Sequence, residues 1–570
     1  MRQIAPANSQ PTLVVGRWRG RYLRFAGQQF VLLAAPARSG KGVGIVIPNL
    51  LSYSDSVVVL DIKQENFRLT AGFRRAHGHA VYLFNPFAED GRTHRYNPLS
   101  VIADGIFRVG DILTIGHVLY PAGGHDEFWK DQARNLLLGL VLLLCDWREA
   151  RRAGASGVPD YPITMGEVLR QSSGNGLPVK TYLNRMLIQH RQYLSRACID
   201  ALNRFLANDD KVLASILATF NAPLTIWANP IVDAATSAND FDLRDVRRRK
   251  MSVYLGVTPD HLSEAAILMN LMFSQLVNLN TKELAEDNPA LKYQCLLLLD
   301  EMTAIGKIQI IARAVAYMAG YNLRLLSIVQ SDSQLESVYG RADARTIVTN
   351  HAMQILFAPR EQKDANAYSE MLGTRTERSR TTSRSNGMFG ARSGASESFS
   401  DQRRALMLPQ EIKELDRDKE IILLENTRPI LAERICYWRE RAFTSRLMAS
   451  PTVPALDLVR FGTQREQRLR ELSDDDVDDQ TGELAHVRPD YLELVHAWDQ
   501  GELPQALDDI SCGEAAAYVD RHFTLLGVSA DDVARAGRRL ARDEDGMTDA
   551  EAGSQKRDRS PAARASDGVQ

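Results

Sequence analysis

The chain predicts an α/β protein with a mainly parallel twisted sheet, interrupted by an all-helical insertion and followed by an acidic C-terminal extension. Three observations carry this. Short apolar runs of strand composition come early (FVLLAAP, Phe30 to Pro36; SVVVLD, Ser56 to Asp61) and return late (MSVYLGV, Met251 to Val257; CLLLLDE, Cys295 to Glu301; LRLLSIVQ, Leu323 to Gln330; QILFAP, Gln354 to Pro359). Continuous apolar strands of this kind are buried on both faces, as parallel sheets require. Between the two sets, from about 104 to 222, apolar residues recur at helical spacing, as in FWKDQARNLLLGLVLLLCDW and TYLNRMLIQHRQYLSRACIDALNRFL. Charge is divided as well: residues 451 to 570 hold 26 acidic and 14 basic residues, a net of -12, so the first 450 carry +10 within a total of -2.

A length of 570 residues with 44% apolar side chains exceeds a single core and excludes a disordered chain. The expected organisation has four parts: 1–103, the first part of a nucleotide-binding domain; 104–222, all-alpha; 223–445, the second part, with a mobile loop at 378–404; and 446–570, acidic and partly disordered. The positive body fits a polyanionic partner and the acidic tail a basic one. Five cysteines (Cys145, Cys198, Cys295, Cys436, Cys512) lie far apart without a CxxC pair. That excludes a disulfide framework and a structural zinc site and points to a reducing compartment. No signal peptide opens the chain, and the apolar run Leu136 to Cys145 is half the roughly 20 residues of a membrane helix, so no spanning segment is expected.

In chain order, residues 13–35 read as an edge hairpin in which Arg17, Arg19 and Arg21 share a strand face opposite Trp18 and Tyr22. The first two apolar strands are separated by roughly 20 residues, enough for parallel pairing through a crossover. GASGVPDYP and SSGNGLP supply turns within the helical region. The segment RSRTTSRSNGMFGARSGASESFSDQRR, 378–404, is too poor in apolar residues to order itself. RRRK, Arg247 to Lys250, is a basic run that could meet DNA phosphates or simply be a solvated loop.

Two motifs carry chemistry. The loop APARSGKGV (Ala35, Pro36, Ala37, Arg38, Ser39, Gly40, Lys41, Gly42, Val43) follows a strand. A phosphate cradle needs small residues so that backbone N–H groups converge, and a lysine to reach the terminal oxygens. Against the pattern G-x-x-x-x-G-K-[ST], Ala35 replaces the first glycine and Gly42 the magnesium-binding hydroxyl, so water or another oxygen must complete the metal shell. The second motif is LLLLDE, an apolar strand ending in Asp300 and Glu301. In a P-loop ATPase the first acid holds Mg²⁺, directly or through water, and the second polarises the attacking water. Gln330, ending the next strand, stands where a γ-phosphate would be sensed or is a polar strand cap. The helical region between Lys41 and Asp300 fits an insertion between two halves of one ATPase domain.

In order, APARSGKGVGIVIPNLL, SVVVLDIKQE, FNPF with YNPLS, DEFWKDQARNLL, MSVYLGVTPDHL, LLLLDEMTAIGKI, YNLRLLSIVQSDSQLESVYG and RALMLPQEI resemble the VirD4/TraG family of type IV secretion coupling proteins over about residues 15–443. The resemblance implies a RecA-like ATPase domain interrupted by an all-alpha domain, assembled as a homo-hexamer at the cytoplasmic face of the bacterial inner membrane. There it would pass relaxase-bound single-stranded DNA, or protein effectors, into the secretion channel. It also implies that Lys41 binds the β and γ phosphates of ATP, that Asp300 binds Mg²⁺, that Glu301 activates water and that Gln330 couples the γ-phosphate to movement. A ring needs an arginine reaching into the neighbouring site; Arg324 and Arg345 are the candidates. The family begins with membrane-spanning helices, so the expectation is an anchor from a partner, an anchor in a segment preceding this start, or a soluble derivative of the family. The acidic SDDDVDD, 473–479, is expected either to dock relaxosome or effector proteins or to be a solvated tail. A non-hydrolysing adaptor and an FtsK-like DNA pump are the alternative functions.

Overall fold

A computed structural model describes residues 10–123, 126–384 and 395–465, which belong to one compact unit. Their main feature is an eleven-stranded sheet in the order β2-β1-β13-β12-β9-β3-β8-β7-β4-β6-β5. The strands are β1 (Thr12–Trp18), β2 (Arg21–Ala26), β3 (Val31–Ala34), β4 (Ser56–Asp61), β5 (Ala80–Phe84), β6 (Met251–Gly256), β7 (Cys295–Leu299), β8 (Leu323–Val329), β9 (Met353–Leu356), β12 (Lys419–Leu424) and β13 (Ile430–Glu433), with β10 (Thr374–Arg384) and β11 (Ala395–Ala405) forming a separate hairpin. The seven strands from β9 to β5 run parallel, while β12, β13, β1 and β2 add antiparallel strands beyond β9. Strands β3, β4, β6, β7 and β8 are buried along their whole length, which is why they read as predominantly apolar runs with few polar residues.

Strands β3 and β4 are not partners, contrary to the pairing expected from their spacing: β8 and β7 lie between them. A crossover only requires that two parallel strands share a sheet, and later strands can enter the gap. This insertion puts the loop after β3 beside the ends of β8 and β7.

The hairpin β1–β2 forms at the sheet edge, but its three arginines do not share a face. Arg19 occupies the turn with φ 48°, its guanidinium 4.4 Å from the centroid of the Trp18 ring, and Arg17 is paired with Glu433 and Glu440 at 3.3 and 3.2 Å. A tight turn breaks the strand alternation that the prediction extended through it. Strand β5 is the opposite edge and only partly buried; β12 and β13 were not among the runs picked out by apolar pattern, being short and interrupted by charge.

All described elements between β5 and β6 are helical, from Pro98 to Arg247. Their longest helix, Glu127–Arg152, buries Leu136 to Cys145 and shares a core with sheet residues such as Leu60, Phe84 and Leu297. Two helical stretches, Asp210–Ala228 and Pro259–Asn280, are long and apolar enough to cross a membrane by length and composition. The second sits in the core: its helix buries Leu268, Met272 and Phe273.

Arms β10 and β11 of the 378–404 segment pair antiparallel from Thr374 opposite Ala405 to Arg384 opposite Ala395. The arms satisfy each other's facing backbone groups and leave the outer ones to solvent; residues 385–394 lie outside the described set. From 446 the chain stays on the body: Leu456 N–H donates to the Gly91 carbonyl at 2.8 Å and Val453 is 8% exposed.

Candidate nucleotide site

The site lies at the C-terminal ends of β3, β8 and β7, where parallel α/β sheets collect ligands. Two backbone hydrogen bonds register the loops against β8: Ala35 N–H donates to the Val329 carbonyl at 2.9 Å and Met302 N–H to that of Ile328 at 3.1 Å. The loop after β3 and the acids after β7 are therefore tied to the same strand.

Lys41 Nζ lies 2.9 Å from Glu301 Oε1 and 3.0 Å from Asp300 Oδ1. The first contact is a hydrogen bond; the second is an ion pair. Glu301 holds φ at 61°, a left-handed conformation that costs a non-glycine residue about 1–3 kcal/mol and persists where the surroundings impose it, often at functional sites.

After Lys41 the chain enters a π-helical turn, Gly42–Val46, then an α-helix, Ile47–Leu50. Pro48 has no N–H to return to Gly44, and Ile47 N–H instead reaches the Gly42 carbonyl, so the first turn widens. A Cβ at Gly42 would meet nothing within 4 Å; the hydroxyl of the usual pattern is absent for a reason other than crowding. Ser39 Oγ is buried and unpartnered. An unpartnered hydroxyl and a lysine set beside two carboxylates together suit a phosphate with a hard, oxygen-seeking cation, so the residues fit a magnesium nucleotide.

Gln330 follows β8, between the two motifs, half-buried, its N–H 3.4 Å from Gln334 Oε1. Arg345 is exposed on the helix Arg341–Thr349. Arg324 is not placed for a role in trans: it is 0% exposed near the start of β8, at the opposite end of the strand from Gln330. It donates to the Gln29 and Phe25 carbonyls at 3.0 and 3.2 Å, and burial pushes its guanidinium down to about 10. The RRRK run likewise offers less than its charge implies. Arg247 is 1% exposed, donating to the Asn280 and Glu283 carbonyls, and Arg249 pairs with Asp245 at 2.8 Å. SDDDVDD lies outside the described residues.

Several site residues escaped the sequence reading. Asp61, ending β4 next to β7, is 1% exposed and accepts Phe67 and Asn66 N–H groups at 2.7 and 3.3 Å. Burial, with the Asp300 charge adding to it, pushes its carboxyl up to about 7. An acid ending a buried strand was the available signal. Arg360 donates to the Ala37 carbonyl at 2.9 Å and Arg434 to the Ser39 carbonyl; both come from distant segments without a local motif.

Fold and site define a RecA-like α/β domain in which a glycine-containing loop stands beside a paired acidic motif. Residues 4–456 match the sequence profile described as Type IV secretory system Conjugative DNA transfer, and the chain belongs to that family. It is 31% identical over 482 residues to Protein VirD4 of Rhizobium radiobacter, covering 83% of this chain and 65% of that protein. To the Conjugal transfer protein TraG of Escherichia coli it is 27% identical, covering 81% and 76%. It thus spans about 65% of the length of the first curated relatives it matches. Among solved structures, the unbound bacterial conjugative coupling protein TrwBdeltaN70 superposes with a TM-score of 0.55 at 15% identity, covering 79% of this chain and 92% of that one. The plasmid coupling protein TrwB in complex with ADP and Mg²⁺ gives 0.52 at 15%, covering 78% and 99%.

Proposed function

We propose that this chain is the ATP-hydrolysing coupling protein of a conjugative type IV secretion system, recruiting relaxase-bound single-stranded DNA or effector proteins and driving them into the channel. The observation that carries it is the placement of Lys41 Nζ between Asp300 and Glu301 at 3.0 and 2.9 Å. That its relatives are conjugal transfer and coupling proteins supports the transfer role.

In this reading Lys41 exchanges its carboxylate partners for the β and γ phosphates of ATP. Asp300 would hold magnesium, Ser39 Oγ would donate to a phosphate oxygen, and Glu301, freed from Lys41, would accept the proton of the attacking water. Bound magnesium supplies charge neutralisation across the phosphates. Gln330, between the two motifs, orients toward the γ-phosphate. The chain works as a homo-hexamer at the cytoplasmic face of the bacterial inner membrane, through an anchor of its own or of a partner. Arg345 is the remaining candidate for the cation contributed by a neighbouring subunit, since Arg324 is enclosed.

Phosphate release by the purified chain, with and without single-stranded DNA and at concentrations where it is oligomeric, tests this. DNA-stimulated hydrolysis that Lys41→Ala abolishes is expected. Wild-type release no higher than that of Lys41→Ala under those conditions overturns it and leaves the adaptor.

A further inference from the structure

Strand β3 is flanked by β8 on one side and β9 on the other. The acids approach the phosphate loop from the β8 side; a second group approaches from the β9 side. Arg434, just after β13, reaches three separate segments with one guanidinium. Its Nη2 donates to the Ser39 carbonyl, its Nη1 to the Arg417 carbonyl at 2.8 Å, and its Cζ stands 3.7 Å from the centroid of the Phe357 ring. Phe357 is 1% exposed and its N–H donates to the Ala34 carbonyl at 3.0 Å, so this platform is fastened to the end of β3. Arg434 N–H donates to the Asp418 carbonyl at 2.8 Å, which fixes the stem.

A trans peptide places its C=O and the following N–H on opposite sides. Gripping the Ser39 carbonyl therefore turns the Gly40 N–H away from the guanidinium. Gly40 is adapted to the grip: it holds φ at 89°, and a Cβ there would lie 2.9 Å from Arg434 Nη2. Arg360 does the same two residues earlier, holding the Ala37 carbonyl at 2.9 Å and so turning the Arg38 N–H. Phosphate loops work by converging such N–H groups, and this loop lacks the first glycine of the usual pattern.

We propose that Arg434 is a positioning residue for the nucleotide: by holding the Ser39 carbonyl against the Phe357 platform, it aims the Gly40 N–H of the phosphate loop. This rests on the phosphate-loop reading above. The effect belongs to the cradle and not to the γ-phosphate, so it acts on ADP and ATP alike. Lysine in its place keeps the charge but loses the planar fork that spans Ser39 and Arg417.

The test is the affinity of the full chain for ADP and for a non-hydrolysable ATP analogue, measured separately with the unfolding midpoint. Arg434→Ala is expected to weaken both nucleotides by the same factor, about ten-fold or more for a lost charge-assisted hydrogen bond. Arg434→Lys should recover little of it, with the midpoint nearly unmoved. If Arg434→Ala does not fold, Arg434→Lys and Phe357→Leu, which removes the platform and leaves the arginine, carry the measurement. Unchanged affinities, loss for the ATP analogue alone, or full rescue by lysine overturn the inference. Lys41→Ala measured alongside separates the two levels: if it binds both nucleotides like wild type, the phosphate-loop reading itself fails.

Discussion

Lys41 and Glu301, 260 positions apart, form a hydrogen bond of 2.9 Å across the ends of two strands that β8 separates. The lysine is thus committed to carboxylates before any phosphate arrives, and binding a nucleotide means exchanging partners. Removing the Glu301 charge takes away a competitor as well as the candidate base. Glu301→Gln is expected to bind ATP about two- to five-fold more tightly, the scale of a partly exposed ion pair, and to hydrolyse it about a hundred-fold or more slowly. Equilibrium binding with single-turnover kinetics reads both; faster or unchanged turnover refutes the assignment of Glu301.

Gly42 tests the metal shell. The space at this position accepts a side chain, and a hydroxyl there would stand where the usual pattern places a magnesium ligand. Gly42→Thr should fold normally and strengthen the magnesium dependence of nucleotide binding, seen as a lower magnesium concentration at half-saturation. An unchanged requirement would mean that this turn, widened into a π-helix, does not bring position 42 to the metal.

Arg324 was a candidate for action on a neighbour, and its surroundings make it a structural cation. Its Nε and Nη2 hold two carbonyls, one of the hairpin strand β2 and one of the loop after it. Arg324→Ala removes two part-buried hydrogen bonds, each contributing about 0.5–1.5 kcal/mol, and empties space inside a fully buried strand. A lowered unfolding midpoint is expected, whereas hydrolysis per folded molecule stays near wild type. Loss of hydrolysis without loss of stability would restore the trans role.

Glu420 supplies a pH signature. It is 0% exposed with neither oxygen hydrogen-bonded, and burial pushes its carboxyl up to about 8 against the opposing influence of Arg434. The folded state then holds a proton that the unfolded chain releases near its ordinary value of about 4.3. Stability contributed by this proton is complete below that value and falls as pH rises toward 8, by at most about 1.4 kcal/mol per pH unit. Asp61 slopes in the same direction up to about 7, so the difference between wild type and Glu420→Gln isolates Glu420. Denaturant midpoints at pH 5, 6.5 and 8 should fall more steeply for wild type; parallel curves would refute the raised carboxyl.

The strands that carry the motifs were legible because burial on both faces leaves them almost no polar residues. Sheet order was not, since β3 and β4 are separated by strands whose sequence lies more than two hundred residues later. Lys41, Asp300 and Glu301 could be paired from motif order alone because phosphate chemistry requires all three. Arg434 and Arg360 could not, for their contacts with the loop exist only once β9 and the strands beyond it are laid beside β3. Arg324 carries its own signal in the sequence: an arginine inside LRLLSIV, on a strand with no other charge, is more consistent with a buried cation than with a reaching one.

The hairpin β10–β11 poses the reverse question, since it is regular in structure while adding little to the core. Its arms are exposed from Thr374 to Arg378 and from Glu397 to Arg403, and its side-chain links are surface contacts, such as Arg378 4.7 Å from the Phe399 ring centroid and Arg404 paired with Glu411. Leu406 N–H donates to the Gly373 carbonyl at 2.9 Å and closes the base, with Gly373 at φ 78° turning the chain out of the helix Gln362–Leu372. Exposed pairs of this kind contribute about 0–1 kcal/mol each. Replacing 375–404 by a short glycine-serine bridge should therefore leave the unfolding midpoint within a few degrees of wild type and leave nucleotide affinity unchanged. A large drop in midpoint would mean that the hairpin packs on the body more tightly than its exposure implies. Full stability with loss of DNA-stimulated hydrolysis would place its function in substrate engagement and not in folding.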